Sequence, residues 1–405
     1  MWKSVARHRL VGAAILCLLI AAGCGPAPLG TGWPAISLTT YECGDQISEN
    51  VLIAYNDRIV VVNPVDGKAR VLLNQECSPY PTNADGKAPV WDFRGSGPNL
   101  FFSTPVKISN STLLAVAYNQ QLYEIDFQTA GSNKPIGQPI PNLTGHTVAD
   151  VMQNGDLLYL GLSAKNLVAL NSDDYTVAWT AETEHGVWAK PLLLDATLYF
   201  TSLDHFLYAT DAETGDLQWK LDLGGALTST PLYDETTGHL FIGSFARKIF
   251  EISLDGAIVN QYDTADWVWG TPAIVDDTLY AADLVGNVYA LDTSDNLAEV
   301  WRQKVAGRAI RGTPLVTGDT IVVAARDNKV YWLNRADGSI LNDSEGQPLV
   351  RDLGAEILSD VLLVQPGETL DIDEPYVIVS TLAPDKILVA YSLRTAEQKW
   401  AYALQ

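Results

Sequence analysis

Few residues in this chain have the types and spacing that chemistry needs. The densest carboxylate cluster, Asp371-Ile-Asp373-Glu374, offers oxygen ligands to a hard cation but lacks the Gly and Asn pattern of a calcium loop, so it reads as a solvated insertion. His146, His185, His205 and His239 stand apart from one another at no ligand spacing and are expected on the surface, His205 and His239 in or beside hairpin turns. No Gly-x-Ser-x-Gly elbow, phosphate loop or metalloprotease helix occurs. These patterns predict no catalytic residue and no metal site. The chemistry left is recognition. Counting back three residues from each of several strand-opening prolines gives Trp188, Thr228, Trp269 and Arg311, with Phe102 before Pro105, and Asp266, Trp267 and Arg308 lie in the same stretches. Tryptophan and arginine together are enriched in binding hot spots. The alternative is that the rings pack under neighbouring loops.

The elements that must position these residues repeat. An apolar strand, a tight polar turn and a second apolar strand ending in Asp, Asn or Ser recur at one spacing from Leu113 to Asp126, Leu158 to Asn171, Leu198 to Asp211, Leu240 to Ser253, Leu279 to Asp292 and Ile321 to Asn334. Looser copies run from Val51 to Asn63 and from Tyr376 to Ser392. Between the hairpins lie two more strand signals. One carries a Trp, as in 176–180, 217–221 and 300–304, and the other opens at Pro191, Pro231, Pro272 or Pro314. Four strands per unit at a period near 40 residues predict an all-β fold, an eight-bladed β-propeller of four-stranded antiparallel blades over residues 35–405. Two segments, 74–99 and 341–375, fit no repeat.

The sharpest copy, Ala209-Thr-Asp211-Ala-Glu-Thr-Gly215-Asp-Leu-Gln-Trp219, sets a frame of Ala-x-Asp, a glycine turn and a Trp. Trp179, Trp301 with Asp292, and Trp400 keep it. The acid accepts hydrogen bonds from the turn backbone and the indole fills the gap between blades, so these residues are expected to be structural.

The N-terminus is an address. Lys3, Arg7 and Arg9 head an uncharged core, Leu10 to Gly23, which is too short to span a membrane, for which about 20 apolar residues are needed. Ala21-Ala22-Gly23 before Cys24 resembles the lipobox of bacterial lipoproteins. That resemblance implies removal of residues 1–23, acylation of Cys24 and a tether over 24–34 that fixes the protein to the outer face of a membrane. Cys43 and Cys77 then remain, either paired in an oxidising compartment or as two buried thiols. Loss of the three leader cations takes 26 basic residues to 23 against 48 acidic ones, a net charge of −25. Such a surface repels nucleic acid and anionic headgroups, which leaves the lipid as the membrane contact.

The tryptophan frame resembles the docking motif of the pyrroloquinoline-quinone (PQQ) type propeller repeats, over about residues 50–405. Within that superfamily the resemblance is closest to the BamB-type lipoproteins of outer-membrane assembly. It implies a monomeric, non-catalytic scaffold for an envelope protein complex. A quinoprotein dehydrogenase or quinone-binding sensor is the alternative, and a glycan-binding propeller a third. Dehydrogenases of the family carry a disulfide of adjacent cysteines and a calcium cage beside the quinone. Cys43 and Cys77 are not adjacent, so neither PQQ nor calcium is expected.

Overall fold

Each blade is a meander whose middle strands are apolar on both faces. In blade 4 the strands are Leu192–Leu194, Thr197–Thr201, Phe206–Asp211 and Leu217–Asp222, hydrogen-bonded in sequence order and antiparallel. The second and third are buried almost throughout, whereas the fourth alternates between more and less exposed positions. Burial on two faces is what a sheet sandwiched between neighbours demands, and it explains the unbroken apolar runs of the repeat. A computed structural model of the protein describes residues 33–43, 46–73, 77–82, 87–95, 100–127, 145–367 and 369–404. Its blades cover residues 35–94, 106–126, 152–182, 192–222, 232–263, 273–304, 315–352 and 362–402. Seven have four strands, and blade 2 has three among the described residues, since 128–144 after its third strand lie outside them. First strands of neighbouring blades touch one another, which places them innermost around the axis. No helix among the described residues is long and apolar enough to cross a membrane.

Among the described residues there are eight cores, one for each junction between blades. Tyr159, Ala169 and Trp179 of blade 3 cluster with Leu198, Phe200 and Tyr208 of blade 4, and the pattern continues around the ring. Five tryptophans fasten these junctions in one way. The indole N–H of Trp91, Trp179, Trp219, Trp301 and Trp400 donates to the carbonyl of Phe127, Ala212, Leu254, Arg335 and Pro64 respectively, at 2.9 to 3.1 Å. Each acceptor directly follows the Asp, Asn or Ser at the end of the third strand of the next blade, Asn63 lying one residue past that strand in blade 1. Asp211 accepts from the backbone N–H groups of Glu213 and Thr214, and Asp292 from Ser294. Gly215, at φ 76°, lies so close under the Trp179 ring that a β-carbon there would stand 2.6 Å from Cε3.

The alanine of the frame has its own reason. Ala169, Ala209, Ala290 and Ala390 pair directly across the strands with Trp179, Trp219, Trp301 and Trp400, and the register shifts at the next residue. A small partner and a bulge let the indole lean out toward the neighbouring blade. Blade 5 lacks the tryptophan. There Glu251 faces Asn260, and the nearly inaccessible carboxylate accepts from Asn260 at 2.7 Å while His239 Nδ1 lies 2.6 Å away. In blade 7, Arg351 reaches across instead, donating from Nε to the Ala396 carbonyl at 2.8 Å.

The two segments that fit no repeat carry strands. Asp92–Arg94 closes blade 1, Val350–Asp352 closes blade 7, and Leu362–Val364 opens blade 8. The strand-opening proline and the Trp frame that mark the regular copies are missing there, which hid them. Glu374 of the acidic cluster is held by Ser392 and by Lys399, both at 2.6 Å, so it ties blade 8 together. Trp33 and Pro34, assigned to the tether by sequence, already belong to the propeller. Trp33 meets Phe102 edge-on at 4.7 Å, and the Pro34 carbonyl accepts from Ser380. The leader and Cys24 lie outside the described residues. Cys77 is disulfide-bonded, while the Cys43 side chain is outside the described part.

Candidate functional site

Before the innermost strand of blades 2 to 8 the chain bends at the residue three ahead of it, and the residues two and four ahead both come to the axis. The eight residues two ahead are Trp33, Thr104, Asp150, Lys190, Thr230, Thr271, Thr313 and Asp360, and all of them line one cavity of about 250 Å³ on the propeller axis. Those four ahead, Phe102, Val148, Trp188, Thr228, Trp269, Arg311 and Leu358, line it too. Every blade thus contributes to a single site.

Small residues between the two rings let the strands converge. A β-carbon on Gly270 would stand 2.7 Å from the Arg311 carbonyl. Neighbouring blades are also stitched together here. Thr104 donates from its backbone N–H and its hydroxyl to Asp150 Oδ1, at 2.7 and 3.0 Å, and the Thr313 N–H donates to Asp360 Oδ1 at 2.7 Å. Crowding by protein pushes the Asp360 carboxyl above the ordinary aspartate range, with the Thr313 N–H opposing and Asp150 adding to the rise. The side chain nonetheless keeps contact with water in the channel, which tempers that rise because water screens the charge.

Tryptophan and arginine set the character of the cavity. Trp188 and Trp269 lie 6.4 Å apart between ring centroids, and the Arg311 guanidinium sits 4.3 Å above the Trp269 ring. Burial pulls the Arg311 pKa down to about 10, with Arg326 adding and Glu356 opposing, so it stays charged at neutral pH. Its Nε has no hydrogen-bond partner and is shut away from water.

The eight residues singled out from sequence therefore separate into two groups. Phe102, Trp188, Thr228, Trp269 and Arg311 line the cavity, whereas Asp266, Trp267 and Arg308 do not. Trp267 stacks on Phe245 at 4.8 Å with the planes 9° apart. Asp266 lies 3.7 Å from Arg247, and Arg308 pairs with Glu356 at 2.9 Å, an acid that Arg326 also holds at 3.0 Å. Burial opposes ionisation of Glu356, but the two arginines outweigh it and keep its carboxyl below the usual range. Sequence reasoning missed Val148 and Leu358 because valine replaces the marker proline in blades 3 and 8. It missed Asp150, Lys190 and Asp360 because no step of two was taken from the strand. A count of two and four back from each innermost strand finds all of them.

The histidines are scattered. His146 stacks on Tyr118 at 4.1 Å, and His239 is engaged with Glu251. Among the described residues no three His, Cys, Asp or Glu side chains gather as a metal site.

Comparison with known proteins follows the fold. A family model described as outer membrane protein assembly factor BamB matches residues 140–266 and 233–405. Similar curated proteins include a tetrathionate hydrolase of Acidithiobacillus ferrooxidans, 26% identical over 37% of this chain and 36% of its own length. BamB of Yersinia pestis is 22% identical over 53% of this chain and 57% of its own, and BamB of Shewanella oneidensis is 22% identical over 58% and 74%. The chain thus spans about a third of the hydrolase and little more than half of the Yersinia protein. Among solved structures, BamB from Moraxella catarrhalis superposes with a TM-score of 0.59 at 15% identity, covering 87% of this chain and 92% of that one. The computationally designed protein Ika8 gives 0.60 at 12% identity, covering 89% and 96%. Both likenesses concern the fold alone. With well over half of its residues inside the matched segments, the chain belongs to the family of the outer membrane protein assembly factor BamB.

Proposed function

We propose that the protein is a non-catalytic, lipid-anchored scaffold of the cell envelope that takes part in outer-membrane protein assembly by holding a protein partner. Family membership over residues 140–405 carries this reading. The relatives named BamB support it, and the leader with its Cys24 supports the anchor. The partner's docking site on this reading is the face around the cavity mouth, where Trp267 lies on Phe245 beside Asp266, Arg247 and Arg308. Aromatic and arginine side chains so arranged are the usual anchors of an interface. The protein works without PQQ or calcium.

Two measurements check this. Pull-down from solubilised envelopes with the full lipidated protein is expected to recover a defined envelope complex. Trp267→Ala combined with Arg308→Ala should reduce the yield about tenfold, the effect of losing one or two hot-spot contacts. Equal yields would remove the face from consideration, and reduction of a redox dye on adding PQQ and calcium would overturn the non-catalytic reading. For the anchor, Cys24→Ala should shift the exported protein from the membrane pellet to the soluble fraction. Retention in the pellet after a carbonate wash speaks against lipid attachment.

A further inference from the structure

Arg311 is a half-buried cation in search of an anion. Its side chain makes no ion pair and donates to no carboxylate among the described residues, and it lies on the Trp269 ring face. The carboxylate that acts on it electrostatically, Glu356, is already shared by Arg308 and Arg326. In a chain with a net charge of −22, such an arginine cannot be explained by a shortage of acids. An interior charge costs stability unless something pairs with it. Here the guanidinium lies on the wall of an axial cavity, beside two indoles and Phe102.

We propose that the axial cavity binds a small molecule with one carboxylate on a flat apolar body, the acid at Arg311 and the flat part laid against the Trp188 and Trp269 side chains that line the wall. The size agrees. About 250 Å³ lies just under the usual range of small-molecule sites, roughly 300–1,000 Å³, and accommodates a ring and its acid group. Indole faces suit a flat body, because aromatic pairs gain from offset and edge-on contact. The remaining charges set a limit on the ligand. Lys190 adds a second, more exposed positive charge to the wall, while Asp150 and Asp360 place negative charge there. Those two acids oppose a second carboxylate, so the site selects monoacids over polyacids. The proposal goes beyond the scaffold role, since the ligand occupies the axis and the partner face lies outside the cavity.

Titration of the purified full-length protein with phenylacetate, benzoate and indole-3-acetate, followed by calorimetry and tryptophan fluorescence, tests it. At least one of these is expected to bind saturably and at least tenfold more tightly than benzyl alcohol, because a charge-assisted hydrogen bond is lost in the alcohol. Phthalate should bind more weakly than benzoate. Arg311→Gln should lower affinity for the acids about tenfold or more and leave benzyl alcohol unchanged, whereas Arg311→Lys should keep part of the affinity. Absence of saturable binding by all three acids overturns the proposal. So does equal affinity of the wild-type protein for the acids and the alcohol, a comparison that needs no variant to fold. Partner recovery is read separately through Trp267 and Arg308, so the two results are independent.

Discussion

Trp400→Ala is expected to lower the stability of the protein by about 3–5 kcal/mol, the usual cost of truncating a buried tryptophan. The indole is 8% exposed and donates to the Pro64 carbonyl at 2.9 Å across 336 residues of sequence. It belongs to the core shared by blades 8 and 1, with Val51, Ile53, Val60 and Val62 on one side and Ile378, Leu388 and Ala390 on the other. All strands of blade 8 come from the C-terminal end and all strands of blade 1 from the N-terminal end. Among the described residues no strand crosses the seam, so the ring closes through packing and the hydrogen bonds that Trp400 and Ser380 donate to Pro64 and Pro34. At the other junctions the chain runs on from one blade into the next, which keeps them tethered when a contact is lost. At this one no such continuity exists among the described residues, so the variant should also open locally, with faster amide exchange in blades 1 and 8 than elsewhere. Gly67→Ala attacks the same seam from the opposite side. At φ 69° a side chain is strained, and a β-carbon there would stand 2.5 Å from Trp400 Cε3. It should be destabilising by about 1–3 kcal/mol. Denaturant unfolding followed by circular dichroism measures both, and a loss under about 1 kcal/mol for Trp400→Ala would mean that the seam is held by something else.

Asp283→Ala is expected to cost about 3 kcal/mol or more, since buried donors left without an acceptor each cost about 1–3 kcal/mol. Asp283 is fully buried in the turn between the second and third strands of blade 6. Its carboxylate accepts from the Val285 and Asn287 N–H groups at 3.1 and 2.8 Å, and from the Asn287 amide and the Tyr289 hydroxyl at 2.7 Å each. The Tyr289 oxygen in turn accepts the Ala265 N–H at 2.8 Å, which fastens the return from blade 5. Alanine leaves all four donors without this acceptor and loosens the loop that carries Trp267. Burial, with the neighbouring carboxylate adding, raises the Tyr289 hydroxyl above its ordinary range, so it remains a donor at any ordinary pH. The same clamp recurs as Asp204 with Tyr208 and Asp327 with Tyr331, each at 2.7 Å. Asp283→Asn should be milder, because it keeps an acceptor while turning one donor toward another. Equal unfolding midpoints for wild type and Asp283→Ala would show that water replaces the carboxylate at no cost.

The Tyr–Asp clamp was unread in the sequence for a simple reason. Its spacing is four residues in blades 4 and 7 but six in blade 6, so no fixed interval marks it. The tryptophan frame behaves differently. Its Ala, Asp and Trp lie on two adjacent strands of one blade with the Gly in the turn between them, and each repeat meets the next in one geometry. Trp91 escaped notice because its blade lacks the frame spacing, although its N–H reaches Phe127 as Trp179 reaches Ala212. Arg308 and Arg311 show the other limit. Three residues apart in one return, they looked alike, yet one pairs with Glu356 and the other stands over Trp269.

By itself the sequence determined the repeat, the count of eight blades and the docking tryptophans. These follow from hydrophobic period and turn chemistry within some forty residues, and local patterns of that kind survive in a linear text. Only the tertiary structure decided how the ring closes, which rim residues face inward, and that residues from Trp33 to Asp360 surround one cavity. Those outcomes depend on each blade's rotation about a shared axis. The rotation is set by eight interblade cores together, and no single repeat encodes it.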